Sequence, residues 1–108
     1  MPRYLLFLQY DAQGAKSLLQ ETAMAREAAA RKAIESISGK IESIYFTASG
    51  EFQVAIIAEY PNAATAATLA TMILSTGAVS KFNLIELITA SEIDRAYVVL
   101  TNPVETGS

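Results

Sequence analysis

A chain of 108 residues with 52% hydrophobic residues and a formal net charge of −3 reads as one domain, large enough to bury a core of its own. It holds neither cysteine nor histidine, which excludes disulfides, a thiolate nucleophile, a Ser-His triad and the usual transition-metal ligands. Its eight Lys and Arg are spread thinly, so the clustered basic face that nucleic acid requires is absent.

The first strand is Arg3 to Tyr10, aromatic and aliphatic throughout. Gln13-Gly14 breaks its pattern. One long helix is then predicted from Ala15 to Ile37, rich in Ala, Leu, Glu, Lys and Arg, with apolar positions at the helical period. Ser38-Gly39 is its stop, with Gly39 expected in the left-handed conformation. A second strand, Lys40 to Ala48, and a third, Glu51 to Tyr60, flank Ser49-Gly50 as a hairpin. Pro61-Asn62 leads into a second helix, Ala63 to Thr76, which ends at Gly77. The fourth strand is Ala78 to Thr89. Ser91 is then expected to cap a short final helix, with Asp94 completing a variant capping box. Residues 1–101 form the domain, and 102–108 are expected to be a flexible tail.

The order βαββαβ is the split βαβ, or ferredoxin-like, arrangement: an α+β fold with a four-stranded antiparallel sheet and a short C-terminal helix. The first and third strands carry the continuous apolar runs, Tyr4 to Leu8 and Val54 to Ala58, and belong at the centre. Glu42, Ser43, Asn83 and Glu86 mark the second and fourth as edges. Both faces of the central strands are apolar, since Leu5, Phe7 and Ile57 oppose Leu6, Leu8, Val54 and Ile56. Two helices cover only one face. A homodimer with sheets packed face to face, extendable to a higher oligomer, is the expected cover; the competing arrangement folds the terminal helix of a monomer over the second face.

Apolar runs such as Tyr4 to Leu8 are too short to cross a bilayer, and no basic stretch with a following apolar segment opens the chain. No membrane association and no secretory signal are expected. The lack of cysteine fits a reducing cytoplasm.

The chain resembles the GYD-domain family of the dimeric α/β-barrel superfamily over Pro2 to Ala96. The resemblance rests on Gln13-Gly14, Arg26, Gly39-Lys40, Tyr45-Phe46-Thr47, Gly50-Glu51-Phe52-Gln53, Gly77-Ala78-Val79 and Ala90-Ser91-Glu92-Ile93, in that order. It implies the ferredoxin-like fold and the dimeric barrel. In the hairpin signature of glycine, aromatic and aspartate, Phe52 is the aromatic and Gln53 stands where the acid is expected. After Gly77, only Ser80 and Lys81 meet the expected basic position. An activity resting on the hairpin carboxylate therefore has no counterpart here. Relatives in the wider superfamily include cofactor-free monooxygenases, isomerases and stress-response proteins.

Among candidate functional residues Arg26 is the most informative, because helical stepping from Ala15 puts it on the apolar stripe. A guanidinium there is costly unless paired. It is either a clamp for an anion or carbonyl in a pocket, or a structural residue that pairs with Glu42, Glu59 or Glu86 or snorkels out past the short alanines, and the structural role is favoured. Gln53 can orient a ligand through its amide, while Tyr45 and Phe52 are the aromatics expected at a pocket mouth. No two carboxylates have a spacing that dictates acid–base chemistry, and no glycine cluster forms a phosphate loop. The expected function is a non-catalytic oligomeric module, structural or binding a small apolar or anionic molecule, without cofactor, metal or nucleic acid. The alternative is a cofactor-free α/β-barrel enzyme of the monooxygenase or isomerase type, acting on an aromatic or enolisable substrate.

Overall fold

The apolar runs of the first and third strands lie side by side at the centre of one sheet. A computed structural model describes residues 1–47, 50–75 and 79–101. The elements are β1 (Arg3–Tyr10), α1 (Ala12–Gln20), α2 (Ala23–Glu35), β2 (Lys40–Phe46), β3 (Val54–Glu59), α3 (Ala63–Ser75), β4 (Val79–Leu87) and α4 (Ala90–Thr101). The sheet runs β2-β3-β1-β4, every pair antiparallel. This is the ferredoxin-like order, with the expected central and edge strands.

Strand alternation then sorts the side chains. Tyr4, Leu6 and Leu8 of β1 pack with Val54, Ile56 and Ala58 of β3, under Ile34 of α2 and Ala66 and Leu69 of α3. The rings of Tyr4 and Tyr60 meet at 5.6 Å within this core. Leu5 pairs with Ile57 and Phe7 with Ala55, and their side chains project from the opposite face. On that face Ile85 of β4 and Tyr45 of β2 are well exposed. Every residue of α4 is exposed too, so the arrangement in which the terminal helix covers the second face does not occur.

The single helix expected over Ala15 to Ile37 is two helices. Glu21 and Thr22 are extended, with ψ of −152° and 157°, and Thr22 Oγ1 accepts from the Ala25 amide at 3.0 Å to start α2. A threonine that satisfies an orphan amide outcompetes one more helical turn. Asp11 does the same for α1, accepting from the Gly14 amide at 2.7 Å, so α1 begins before Gly14. The end of α2 also differs from expectation. Ser38, not Gly39, takes the left-handed conformation, with φ of 63°. The Gly39 amide donates to Ile34 O at 2.9 Å and the Ser38 amide to Glu35 O at 3.0 Å, the paired bonds of a Schellman motif. Gly39 is needed for another reason: a Cβ there would lie 2.8 Å from Ile34 Cγ2 and 3.0 Å from Glu59 O.

The strands are shorter than predicted at the hairpin, where β2 stops at Phe46 and β3 starts at Val54. Gly50 has φ of 112°, open to glycine and strained for other residues. Asn62 caps α3 as expected, accepting from the Thr65 amide at 2.8 Å. The last helix is capped earlier than predicted. Thr89 Oγ1 accepts from the Glu92 amide at 3.1 Å while Glu92 Oε1 accepts from the Thr89 amide at 3.2 Å, a reciprocal capping box. The expectations for Ala48, Ser49, Gly77 and the tail from Asn102 fall outside the described residues. Among the described residues no helix is long and apolar enough to cross a membrane.

Candidate functional site

Where α2 crosses the sheet it presents alanines, and short side chains leave space unfilled. Ala29, Ala30 and Ala33 face Leu8, Ile44, Phe46, Val54 and Ile56 across a cavity of about 240 Å³, closed further by Ile73 and Val79. Its lining is apolar except for the ends of Tyr10 and Arg26. Arg26 reaches it because α2 keeps its own phase after the break at Thr22. Arg26, Ala30, Ile34 and Ile37 follow one another at four, four and three residues and turn toward the sheet. Leu19, assigned to the same stripe by stepping across the break, is fully in solvent.

The Arg26 guanidinium stands 5.9 Å from the Tyr10 ring centroid, in cation–π range. Its only acidic partner among the described residues is Glu21, at 3.5 Å from Nη2, beyond the range of a good hydrogen bond. The expected pairing with Glu42, Glu59 or Glu86 does not form. Glu42 binds Arg3 at 2.8 Å and Glu59 faces the N-terminal amine at 3.8 Å, because both carboxylates project from the face of the sheet opposite α2. Arg26 Nε is buried and has no acceptor among the described residues. Burial pushes the Tyr10 phenol pKa up, Arg26 draws it down and Glu21 raises it again. The phenol is protonated and able to donate at neutral pH.

The other expected site residues do not join Arg26. Gln53 Oε1 accepts from the Tyr10 amide at 2.8 Å and its Nε2 donates to Glu51 O at 3.2 Å. The amide thus supports the β1 register shift between Gln9 and Tyr10 and is already engaged. Phe52 stacks on Phe7 at 5.5 Å, and Lys81, ion-paired with Glu51, lies 5.8 Å above the Phe52 ring. Phe52 and Tyr45 therefore belong to the open face of the sheet, across the strands from Arg26. Sequence reasoning missed Tyr10 as the partner of Arg26. Strand parity could have found it, since Tyr10 shares the even-numbered face of Leu6 and Leu8. Among the described residues no group of three acidic side chains could hold a metal ion.

The model of the GYD domain matches residues 4–97. The chain belongs to the GYD-domain family. The match runs from β1 into α4, so it takes in the cavity, the hairpin and the open face of this GYD domain alike. A comparison with curated proteins found no match. Gln53 stands at the hairpin position where an acid was expected. The amide oxygen accepts from the Tyr10 amide as a carboxylate would, and the amide nitrogen adds a donor that a carboxylate lacks.

Proposed function

We propose that this GYD domain is a non-catalytic small-molecule-binding module that works as a homodimer. The observation that carries the reading is the unfilled apolar cavity between α2 and the sheet. Close packing is the rule in protein interiors, and apolar voids of about 150 Å³ already admit benzene. At about 240 Å³ this cavity has room for one ring and a substituent. The dimer is supported by the open sheet face, where Leu5, Phe7, Ile57 and Ile85 lie without cover from any helix among the described residues. Burial of such a face in a second copy is worth roughly 25 cal/mol per Å² of apolar surface. Binding without catalysis is favoured because the polar cluster an enzyme would need is not assembled: Gln53 is engaged with backbone and stands outside the cavity lining. The cysteine-free composition fits work in a reducing cytoplasm.

The test is a titration with toluene followed by methyl NMR. Shifts confined to Leu8, Ile44, Ile56 and Ile73, and abolished in the cavity-filling variant Ala30→Leu, are expected. Unmoved methyls at saturating toluene would overturn the reading.

A further inference from the structure

The inference concerns the ligand of that cavity and rests on the binding reading above. We propose that the cavity selects a monoanion, a carboxylate carried on a single ring or a short branched chain, with the carboxylate held by Arg26. A guanidinium offers five N–H donors. Here one nitrogen faces a distant Glu21 and buried Nε meets no acceptor among the described residues. A partly buried cation held only by a long ion pair and a ring contact is incompletely satisfied, and that cost falls when a better acceptor arrives. The Tyr10 ring lies 5.9 Å from the guanidinium carbon, and a guanidinium can take a planar, two-oxygen group in a two-pronged pair.

Charge and size narrow the class. Among the described residues Arg26 is the only charged one lining the cavity, so one negative charge meets a cation there and a second does not. This rejects phosphate monoesters and dicarboxylates. The volume of about 240 Å³ exceeds the roughly 150 Å³ that holds benzene by enough for a carboxylate. Glu21 acts as the resident counter-ion, and an incoming carboxylate competes with it for the guanidinium.

Calorimetric titrations of the full chain with benzoate, cyclohexanecarboxylate, phthalate and methyl benzoate test this. Benzoate and cyclohexanecarboxylate are expected to bind at least roughly tenfold tighter than methyl benzoate or phthalate, the worth of a charge-assisted hydrogen bond. Arg26→Met should abolish the difference between acid and ester, and Glu21→Gln should tighten benzoate several-fold. Equal binding of benzoate and methyl benzoate to the unmodified chain would overturn the proposal while leaving the cavity reading intact, whether or not Arg26→Met folds. If none of the four binds while toluene does, the anion preference is wrong. If toluene fails as well, the cavity reading falls with it.

Discussion

At Ser38 and Gly39 the chain places its two smallest local options in an order opposite to what helix-capping habit predicts. Ser38 bears the left-handed backbone and Gly39 the steric crowding. Ser38→Gly should therefore stabilise the protein by roughly 0.5–1 kcal/mol, by removing a Cβ from a conformation that disfavours it. Gly39→Ala should destabilise by about 1–3 kcal/mol, because backbone oxygens cannot step aside for the new methyl. Chemical denaturation of both variants checks the signs. Tyr60 gives a second residue-scale prediction. Its ring is buried, its hydroxyl has no partner among the described residues, and burial pushes its pKa from 10.0 up to about 12. The folded state holds this proton more tightly than the unfolded chain does. Its share of stability is whole below pH 10 and is lost as pH rises toward 12, by roughly 2–3 kcal/mol. Tyr60→Phe should be neutral or slightly stabilising at pH 7 and should flatten the alkaline loss, as measured by urea unfolding across that range.

Single side chains also decide where elements begin. Thr22 separates α1 from α2, and the separation frees Arg26 to follow the phase of α2 alone. At the other end, α4 is a helix of 12 residues with every residue exposed. A helix of that length is marginal in water without packing, so the Thr89–Glu92 box carries much of its start. The two Thr89 hydrogen bonds hold the Glu92 carboxyl pKa below its ordinary value. That contribution is present above the ordinary carboxylate range and is lost as pH falls through the lowered value. Amide protection in the first turn of α4, taken relative to the intrinsic exchange rate at each pH, should fall on acidification, and Glu92→Ala should show the low protection already at pH 7. Protection that stays constant with pH would mean that the box is not what holds the turn.

For the whole molecule, the two faces of the sheet make opposite demands on neighbouring residues. Ile56 is buried under α2 and α3, while Ile57 projects from the uncovered side. Ile56→Asp should unfold the chain by burying an unpaired charge, at a cost of several kcal/mol. Ile57→Asp should leave the monomer folded and dissociate the proposed dimer. Light scattering on Ile57→Asp should report a mass near 11.6 kDa with native circular dichroism, against twice that mass for the unmodified protein. An unmodified chain that is already monomeric would contradict the dimer.

Much of this architecture was legible in the residues alone. Continuous apolarity at Tyr4 to Leu8 and Val54 to Ala58 marked the central strands, because edge strands carry charges to blunt their open side. Charges at Glu42 and Glu86 marked the edges, and parity separated Ile56 from Ile57. Arg26 stood out because a cation on an apolar stripe demands an explanation. What surrounds it depended on tertiary structure: Tyr10 reaches it only through the packing of α2 on the sheet, and Glu42 and Glu59 are removed to the other face by strand parity. The gap beside it exists because three alanines cross a bulky sheet, which no local pattern records. Helix ends were misplaced for a related reason. Thr22, Ser38 and Thr89 are settled by hydrogen bonds and close approaches of a few tenths of an ångström, and residue propensities spread over a whole helix do not resolve differences that small.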